Sequence, residues 1–244
     1  MNSSVRSTSV YLTLDIGNTR SKFALFNTLG NVVENGVVEN LTELTGLLPV
    51  LNGVAYCNVT GSVPQGLDQF QCPITELRFG SKLPFLIDYE TPDKLGSDRL
   101  AAAAGAAVSF PGQNVLIVDA GTCLKLDWVD EKGVFHGGSI SPGLKMRYKA
   151  LESFTGKLPL VEDEREVQWP GKSTRDSILA GVRLGFLAEV ETRINEIESQ
   201  NPGITVVLTG GDAPVLAERL KNRIFVEPLL IHKGLFHCLL LNEN

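Results

Sequence analysis

Cysteine and histidine are scarce in this chain of 244 residues, with 4 and 3 copies. Cys57, Cys72, Cys123 and Cys238 are scattered; no Cys-x-x-Cys occurs and no histidine stands at ligand spacing from them, which argues against a structural zinc site. Scattered thiols suit a reducing compartment, so a cytoplasmic protein is expected. Long apolar runs are missing too. None approaches the roughly 18 residues of a membrane span, and no membrane partner is expected. The polar stretch Met1–Ser9 leads into an apolar run interrupted by Asp15, which does not read as a signal segment. Positive charge is not in excess: 22 Lys and Arg face 28 Asp and Glu, a net charge of −6. That balance speaks against nucleic acid, whose phosphates are bound by clustered cations. Low-complexity segments are absent, and a chain of this length needs no disulfide or metal to hold a core.

What is present is a sentence written twice. Val10-Tyr-Leu-Thr-Leu-Asp15-Ile16-Gly17-Asn18-Thr19 is an apolar strand running through an aspartate into a tight turn. Val115-Leu-Ile-Val-Asp119-Ala-Gly121-Thr122 repeats it. Alternating strands follow each copy, Lys22–Phe26 and Leu124–Trp128. Two such hairpins facing one another would offer carboxylates, threonines and exposed backbone N–H groups. That inventory suits a metal-bound nucleotide polyphosphate. The duplication predicts two similar lobes, residues 1–113 and 114–244.

The remaining pattern is strands followed by helices, repeated once. This is a mixed α/β architecture and lacks the regular alternation of a doubly wound sheet. Residues 10–38 and 114–141 read as three-stranded meanders, the first turning at Gly17-Asn18 and Leu29-Gly30-Asn31 and the second at 130–133. A short helix is expected over 41–51 and a buried strand over 54–59. In the Pro- and Gly-rich stretch 63–96, residues 74–79 and 85–89 are strand candidates. The alanine-rich run predicts a helix over 97–108. Ser141-Pro142 reads as cap and first residue of a helix ending near Gly156. Residues 157–172 read as a loop or flap. Ser173–Asp176 is a capping pattern opening a long helix to about Ser199. A strand over 204–209, a turn at Gly210-Gly211, and helices over 214–221 and 226–241 complete the chain.

Several segments could carry chemistry, and each has a plain structural alternative. In the Asp15–Lys22 turn, glycine permits close approach to phosphate, Asn18 and Thr19 can donate to it, and Asp15 can hold Mg²⁺. Asp, Gly and Asn are equally the ordinary residues of a hairpin turn, and strand alternation could point Lys22 outward. Asp119 follows four apolar residues, a costly place for a carboxylate unless a cation or donors compensate it, or unless it caps its own turn. Asp98 and Arg99 open the alanine-rich helix. Asp98 suits the helix dipole there, or serves as a general base beside an arginine that fixes the substrate. Gly210-Gly211 lets a flat ligand lie against the backbone, or forms a simple turn. Thr174 stands at a helix start, where a cap is the default.

With these residues in view, the chain resembles a type III pantothenate kinase, of the acetate kinase/Hsp70/actin-like superfamily. The segments that carry the likeness are Asp15-Ile-Gly-Asn-Thr19, Tyr89 through Gly96-Ser97-Asp98-Arg99, Asp119-Ala-Gly-Thr122, Gly137–Gly143, Ser173-Thr174 with Gly181, and Thr209-Gly210-Gly211. The resemblance implies two ribonuclease H-like lobes with the active site between them. It implies transfer of the γ-phosphoryl of ATP to the primary hydroxyl of pantothenate, the first step towards coenzyme A. By the same resemblance Asp15, Ile16, Gly17, Asn18, Thr19, Arg20, Ser21 and Lys22 bind phosphate and Mg²⁺, and Asp98 takes the hydroxyl proton. Tyr89, Gly96, Ser97, Asp98, Arg99 and Thr174 hold pantothenate. Asp119 binds a monovalent cation, K⁺ or NH₄⁺; Thr122 contacts ATP; and Gly210 and Gly211 lie near adenosine. A homodimer is implied, the partner completing the substrate site. The chain departs from the family at Lys157-Leu-Pro159, where His-Leu-Pro is frequent, and at Cys123, where a second hydroxyl residue is common. Another small-molecule kinase of the superfamily, or a non-catalytic ATP- or pantothenate-binding regulator, stands as the alternative.

Overall fold

The computed structural model describes residues 10–18, 20–44, 50–164, 166–220 and 224–243. Thr19, residues 45–49 of the helix expected over 41–51, and Lys221 lie outside the described residues, and the expected end of that helix at Leu51 is instead the start of a strand. The chain folds as two compact units, one of residues 1–111 and 229–244, the other of residues 112–228.

The first unit is built on β1 (Val10–Ile16), β2 (Ser21–Asn27), β3 (Val32–Val38), β4 (Leu51–Asn58) and β5 (Ile74–Glu76), with a 3₁₀ turn at Leu41–Leu44. The sheet order is β3-β2-β1-β4-β5. The meander is antiparallel, and β4 lies parallel to β1. β1 is covered on both faces, which explains its continuous apolar reading. Leu12 and Leu14 face a core with Phe23, Leu25 and Val54. On the other face Phe26 stacks on Phe236, with ring centroids 4.7 Å apart. A two-residue strand β6 (Leu86–Ile87) precedes α1 (Ser97–Ser109).

The second unit repeats the plan with β7 (Val115–Ala120), β8 (Cys123–Val129), β9 (Val134–Pro142), β10 (Thr205–Thr209) and β11 (Ile224–Val226). Their order is β9-β8-β7-β10-β11, the same as in the first unit, with β7-β8-β9 antiparallel and β10 and β11 parallel. The expected duplication therefore reaches beyond the hairpins to whole ribonuclease H-like sheets. Helices α2 (Leu144–Ser153), α3 (Thr174–Leu179), α4 (Gly185–Gln200) and α5 (Ala213–Ala217) belong to this unit. Leu116, Val118, Leu126, Phe186, Val190 and Leu208 form the middle of its core.

Four expectations are corrected. Ser141 and Pro142 do not start a helix. They end β9, paired with Leu124 and Cys123, and Gly143 is the residue before α2. The pairing with β8 outweighs the local Ser-Pro signal. The long helix after Ser173 is interrupted by a π-turn at Ala180–Leu184. The last helix, α6 (Leu230–Asn242), begins later than expected, because Ile224–Val226 adds a parallel strand to β10. The duplication predicts this helix in the second lobe, but it belongs to the first unit. The reason is the small-residue seam of α1. A Cβ at Gly234 would stand 1.9 Å from the Ala101 carbonyl oxygen, and one at Gly105 would stand 2.1 Å from that of Leu230. Only glycine allows these two helices to approach so closely.

Candidate functional site

In the first unit, Asp15 sits one residue before the end of β1. Its neighbours in register are Lys22 on β2 and Cys57 on β4. Cross-strand partners project from the same face, so Lys22 lies beside Asp15, not on the opposite side. The turn between them is closed by the Gly17 N–H donating to the Arg20 carbonyl at 3.2 Å. The Cys57 thiol donates to Asp15 Oδ1 at 3.5 Å.

The end of β4 is tied to the start of α1. Asn58, opposite Ile16, donates its N–H to Ser97 Oγ at 3.0 Å, and the Ser97 hydroxyl donates back to the Asn58 carbonyl at 3.2 Å. The start of α1 is thereby tied to the strand beside β1. Asp98 Oδ1 accepts the Arg99 N–H at 2.8 Å. A Cβ at Gly96 would lie 2.7 Å from that same oxygen, so glycine there makes room for the carboxylate. Arg99 is buried, and its guanidinium carbon lies 5.5 Å from the centre of the Tyr89 ring. Tyr89, Gly96, Ser97, Asp98 and Arg99 thus form one cluster. Ser97, predicted to touch substrate, has its hydroxyl engaged with the backbone of Asn58 in both directions.

In the second unit the two glycine turns meet at Asp119. This residue is buried, and Lys125, opposite it on β8, brings Nζ to 2.7 Å from Oδ2. A Cβ at Gly210 would stand 2.7 Å from Asp119 Oδ1 and 2.4 Å from the Ala120 carbonyl oxygen. The Asp212 N–H donates to that carbonyl at 2.8 Å, locking the turn after β10 against the end of β7. Burial holds the Asp212 carboxyl above its ordinary value, against the opposing charge of Lys145. Thr122 is exposed, and its carbonyl accepts the Gly143 N–H at 3.1 Å. The Ser141–Gly143 strand end that supports this turn is itself clamped. The Ser141 hydroxyl donates to Glu189 at 2.6 Å, and Arg147 donates to the Pro142 carbonyl at 2.8 Å and to the Glu189 carboxylate. Burial would raise the Glu189 carboxyl, but the Ser141 hydroxyl and the Arg147 guanidinium hold it below the usual range.

Thr174 is not the cap of its helix. Ser173 takes that role, its hydroxyl accepting from the Asp176 N–H at 3.0 Å. Thr174 instead lines a cavity of about 1070 Å³ with Arg147, Leu151, Leu158, Lys172 and Ile178. Much of the segment expected as a flap is fastened down. Val161 is buried in the core, and Asp163 accepts from the Tyr148 hydroxyl at 2.8 Å and from Arg183 of the π-turn. Burial, then the Asp163 carboxylate, pushes the Tyr148 hydroxyl well up. Among the described residues no three His, Cys, Asp or Glu side chains cluster as a metal site. No described helix is long and apolar enough to cross a membrane.

The residue missed by sequence reasoning is Lys125. Its signal was available, because each copy of the repeat sets a lysine on the strand returning from the aspartate, Lys22 for Asp15 and Lys125 for Asp119. The two turns differ by one residue in length, and only the observed register shows that both lysines stand directly opposite.

A sheet order repeated in two units, each with an aspartate near the tip of a glycine hairpin, is the two-lobed actin-like fold. The solved structure of a putative Baf family transcriptional activator from Campylobacter jejuni shares the fold with TM-score 0.62 and 22% identity, over 96% of this chain and 99% of that one. At the sequence level, the family model for type III pantothenate kinase matches residues 11–196. A type III pantothenate kinase of Phocaeicola vulgatus is 38% identical over 96% of this chain and 99% of its own length. One of Cytophaga hutchinsonii is 51% identical over 63% of this chain and 66% of its own. The chain belongs to the type III pantothenate kinase family.

Proposed function

We propose that this protein is an ATP-dependent pantothenate kinase, moving the γ-phosphoryl of ATP to the primary hydroxyl of pantothenate on the way to coenzyme A. The observation that carries the reading is the tie between Asp98 and the phosphate turn. Through Ser97 and Asn58 the acidic start of α1 is hydrogen-bonded to the strand beside Asp15. Phosphoryl transfer is mostly positioning and charge neutralisation, so a base held in fixed relation to a phosphate turn is what the reaction requires.

In this reading the 15–22 turn takes the phosphates through its backbone N–H groups, Asn18, Thr19, Arg20 and Lys22. Mg²⁺ accompanying the nucleotide fits Asp15, a hard oxygen donor only half-buried at a strand end, and would neutralise phosphate charge. Asp98 accepts the hydroxyl proton of pantothenate. Arg99, steadied over Tyr89, fixes the acceptor. Thr122 and the Gly210-Gly211 turn contact the nucleoside side. The Thr174 cavity suits the apolar body of pantothenate, with Lys172 as counter-charge for its carboxylate. Assembly as a homodimer is proposed on the family likeness, with sedimentation as its check.

The test is an ADP-release assay with pantothenate as acceptor. Asp98→Asn is expected to keep its fold and to lose turnover about a hundredfold or more, the scale of general-base catalysis. Wild-type rates in that variant would place the base elsewhere, and no ADP release from the wild-type protein would overturn the assignment.

A further inference from the structure

The monovalent cation expected at Asp119 does not fit the residues found there. One carboxylate oxygen, Oδ2, already holds the Lys125 ammonium at 2.7 Å, the length of a charge-assisted hydrogen bond. The other, Oδ1, lies against the backbone of Gly121 and Gly210, where added Cβ atoms would stand 3.5 and 2.7 Å away. Both partners of the ion pair are largely withdrawn from water, the Lys125 side chain 14% and the Asp119 side chain 10% exposed. A K⁺ ion placed on this carboxylate would meet like charge with little solvent to screen it. Nor does a carboxylate cluster among the described residues offer the oxygen-rich cage that a hard cation takes.

We propose that Lys125 is a tethered cation, its ammonium doing permanently at Asp119 what a free K⁺ or NH₄⁺ ion would otherwise do. The chemistry is matched, since a primary ammonium carries the same single charge as either ion. The position is set by the fold. Asp119 and Lys125 are directly opposed in the β7–β8 hairpin, so strand pairing delivers the ammonium to the carboxylate without loop ordering. The consequence is electrostatic. Left unpaired, Asp119 would put a bare negative charge beneath the Gly121-Thr122 and Gly210-Gly211 turns and repel a polyphosphate. Paired, the site is neutral in any salt. The proposal rests on the nucleotide-binding reading above for the role of these turns, and it predicts an enzyme indifferent to monovalent cations.

The experiment compares choline, Na⁺, K⁺ and NH₄⁺ at constant ionic strength. Two readouts are used: pantothenate-dependent ADP release, and binding of a non-hydrolysable ATP analogue with Mg²⁺ by calorimetry. For the wild-type protein both are expected to change less than twofold. Activation or tightening of tenfold or more by K⁺ would overturn the proposal. Lys125→Thr is expected to bind the analogue at least tenfold more weakly in choline and to recover in K⁺ or NH₄⁺, with a thermal midpoint raised by those ions alone. Analogue binding by that variant at wild-type strength in choline would also overturn it. Should the threonine variant not fold, Lys125→Gln serves in its place and is read by the same binding criterion in choline and K⁺. If no acceptor is phosphorylated under any cation the kinase reading fails, while the analogue-binding arm still tests Lys125.

Discussion

At the scale of single residues, Thr13 and His232 form a buried polar pair. Thr13 and His232 are completely or almost completely buried. The Thr13 hydroxyl spends its one proton on the Ala24 carbonyl at 3.1 Å, so at 2.9 Å it accepts from His232 Nδ1, which fixes the tautomer. Burial, reinforced by the charge of Lys22, lowers His232 to about 4. A histidine held neutral in the fold contributes its full stabilisation above its unfolded value near 6.5, and loses it as pH falls, because the unfolded chain takes up the proton first. Between pH 6.5 and 4 the protein is expected to lose about 3 kcal/mol, at roughly 1.4 kcal/mol per pH unit. Urea midpoints measured across that range check this. His232→Asn keeps a donor but has no proton to take up, and should flatten the profile; an equal slope in the variant would assign the acid sensitivity to other groups.

At the scale of elements, α1 and α6 show how composition becomes geometry. The alanine run of α1 was legible as a helix with a small face. Which element would occupy that face was not, because Gly105 and Gly234 are far apart in the chain and neither is marked by a local pattern. Their mutual approach to the Leu230 and Ala101 carbonyls makes each intolerant of even a methyl group. Gly234→Ala is expected to cost about 1–3 kcal/mol, the range for overpacking, measured as a lower urea midpoint. A neutral effect would mean the helices separate freely. The same limit of local signals explains Ser141-Pro142. A serine followed by proline is a fair helix start, but β8 offered that segment a full ladder of hydrogen bonds, and the ladder prevailed. The π-turn at Ala180–Leu184 had no sequence warning. It carries Arg183, buried and paired with Asp163 of the preceding loop.

At the scale of the whole molecule, the first unit is completed by the last segment of the chain. Leu230, Leu235, Phe236 and Leu239 are buried there. Each such side chain contributes about 1.5–3 kcal/mol, so together they rival the roughly 5–15 kcal/mol that stabilises a typical domain. A chain ending at Pro228 is therefore expected to lose amide protection in α1 and β1 while Val115–Ala120 stays protected, read by hydrogen exchange. Persistent protection of α1 would show that the first unit stands without α6. Both tryptophans, Trp128 and Trp169, lie in the second unit, so their fluorescence should report an unaltered transition. Overall charge matters at this scale too. The net charge of −6 is offset locally where Lys22 and Lys125 stand beside the two strand-end aspartates.

The duplication, the two aspartate-tipped hairpins, the alanine-rich helix with its Asp98-Arg99 start and the family are legible in contiguous residues, whose periodicity and turn chemistry act locally. Folding alone reveals that Lys125 pairs with Asp119, that Ser97 is spent on Asn58, that Thr174 faces a cavity and does not cap a helix, and that α6 closes the first unit. Those outcomes depend on register and on contacts between distant segments, where burial and strand pairing, not local preference, settle which groups meet.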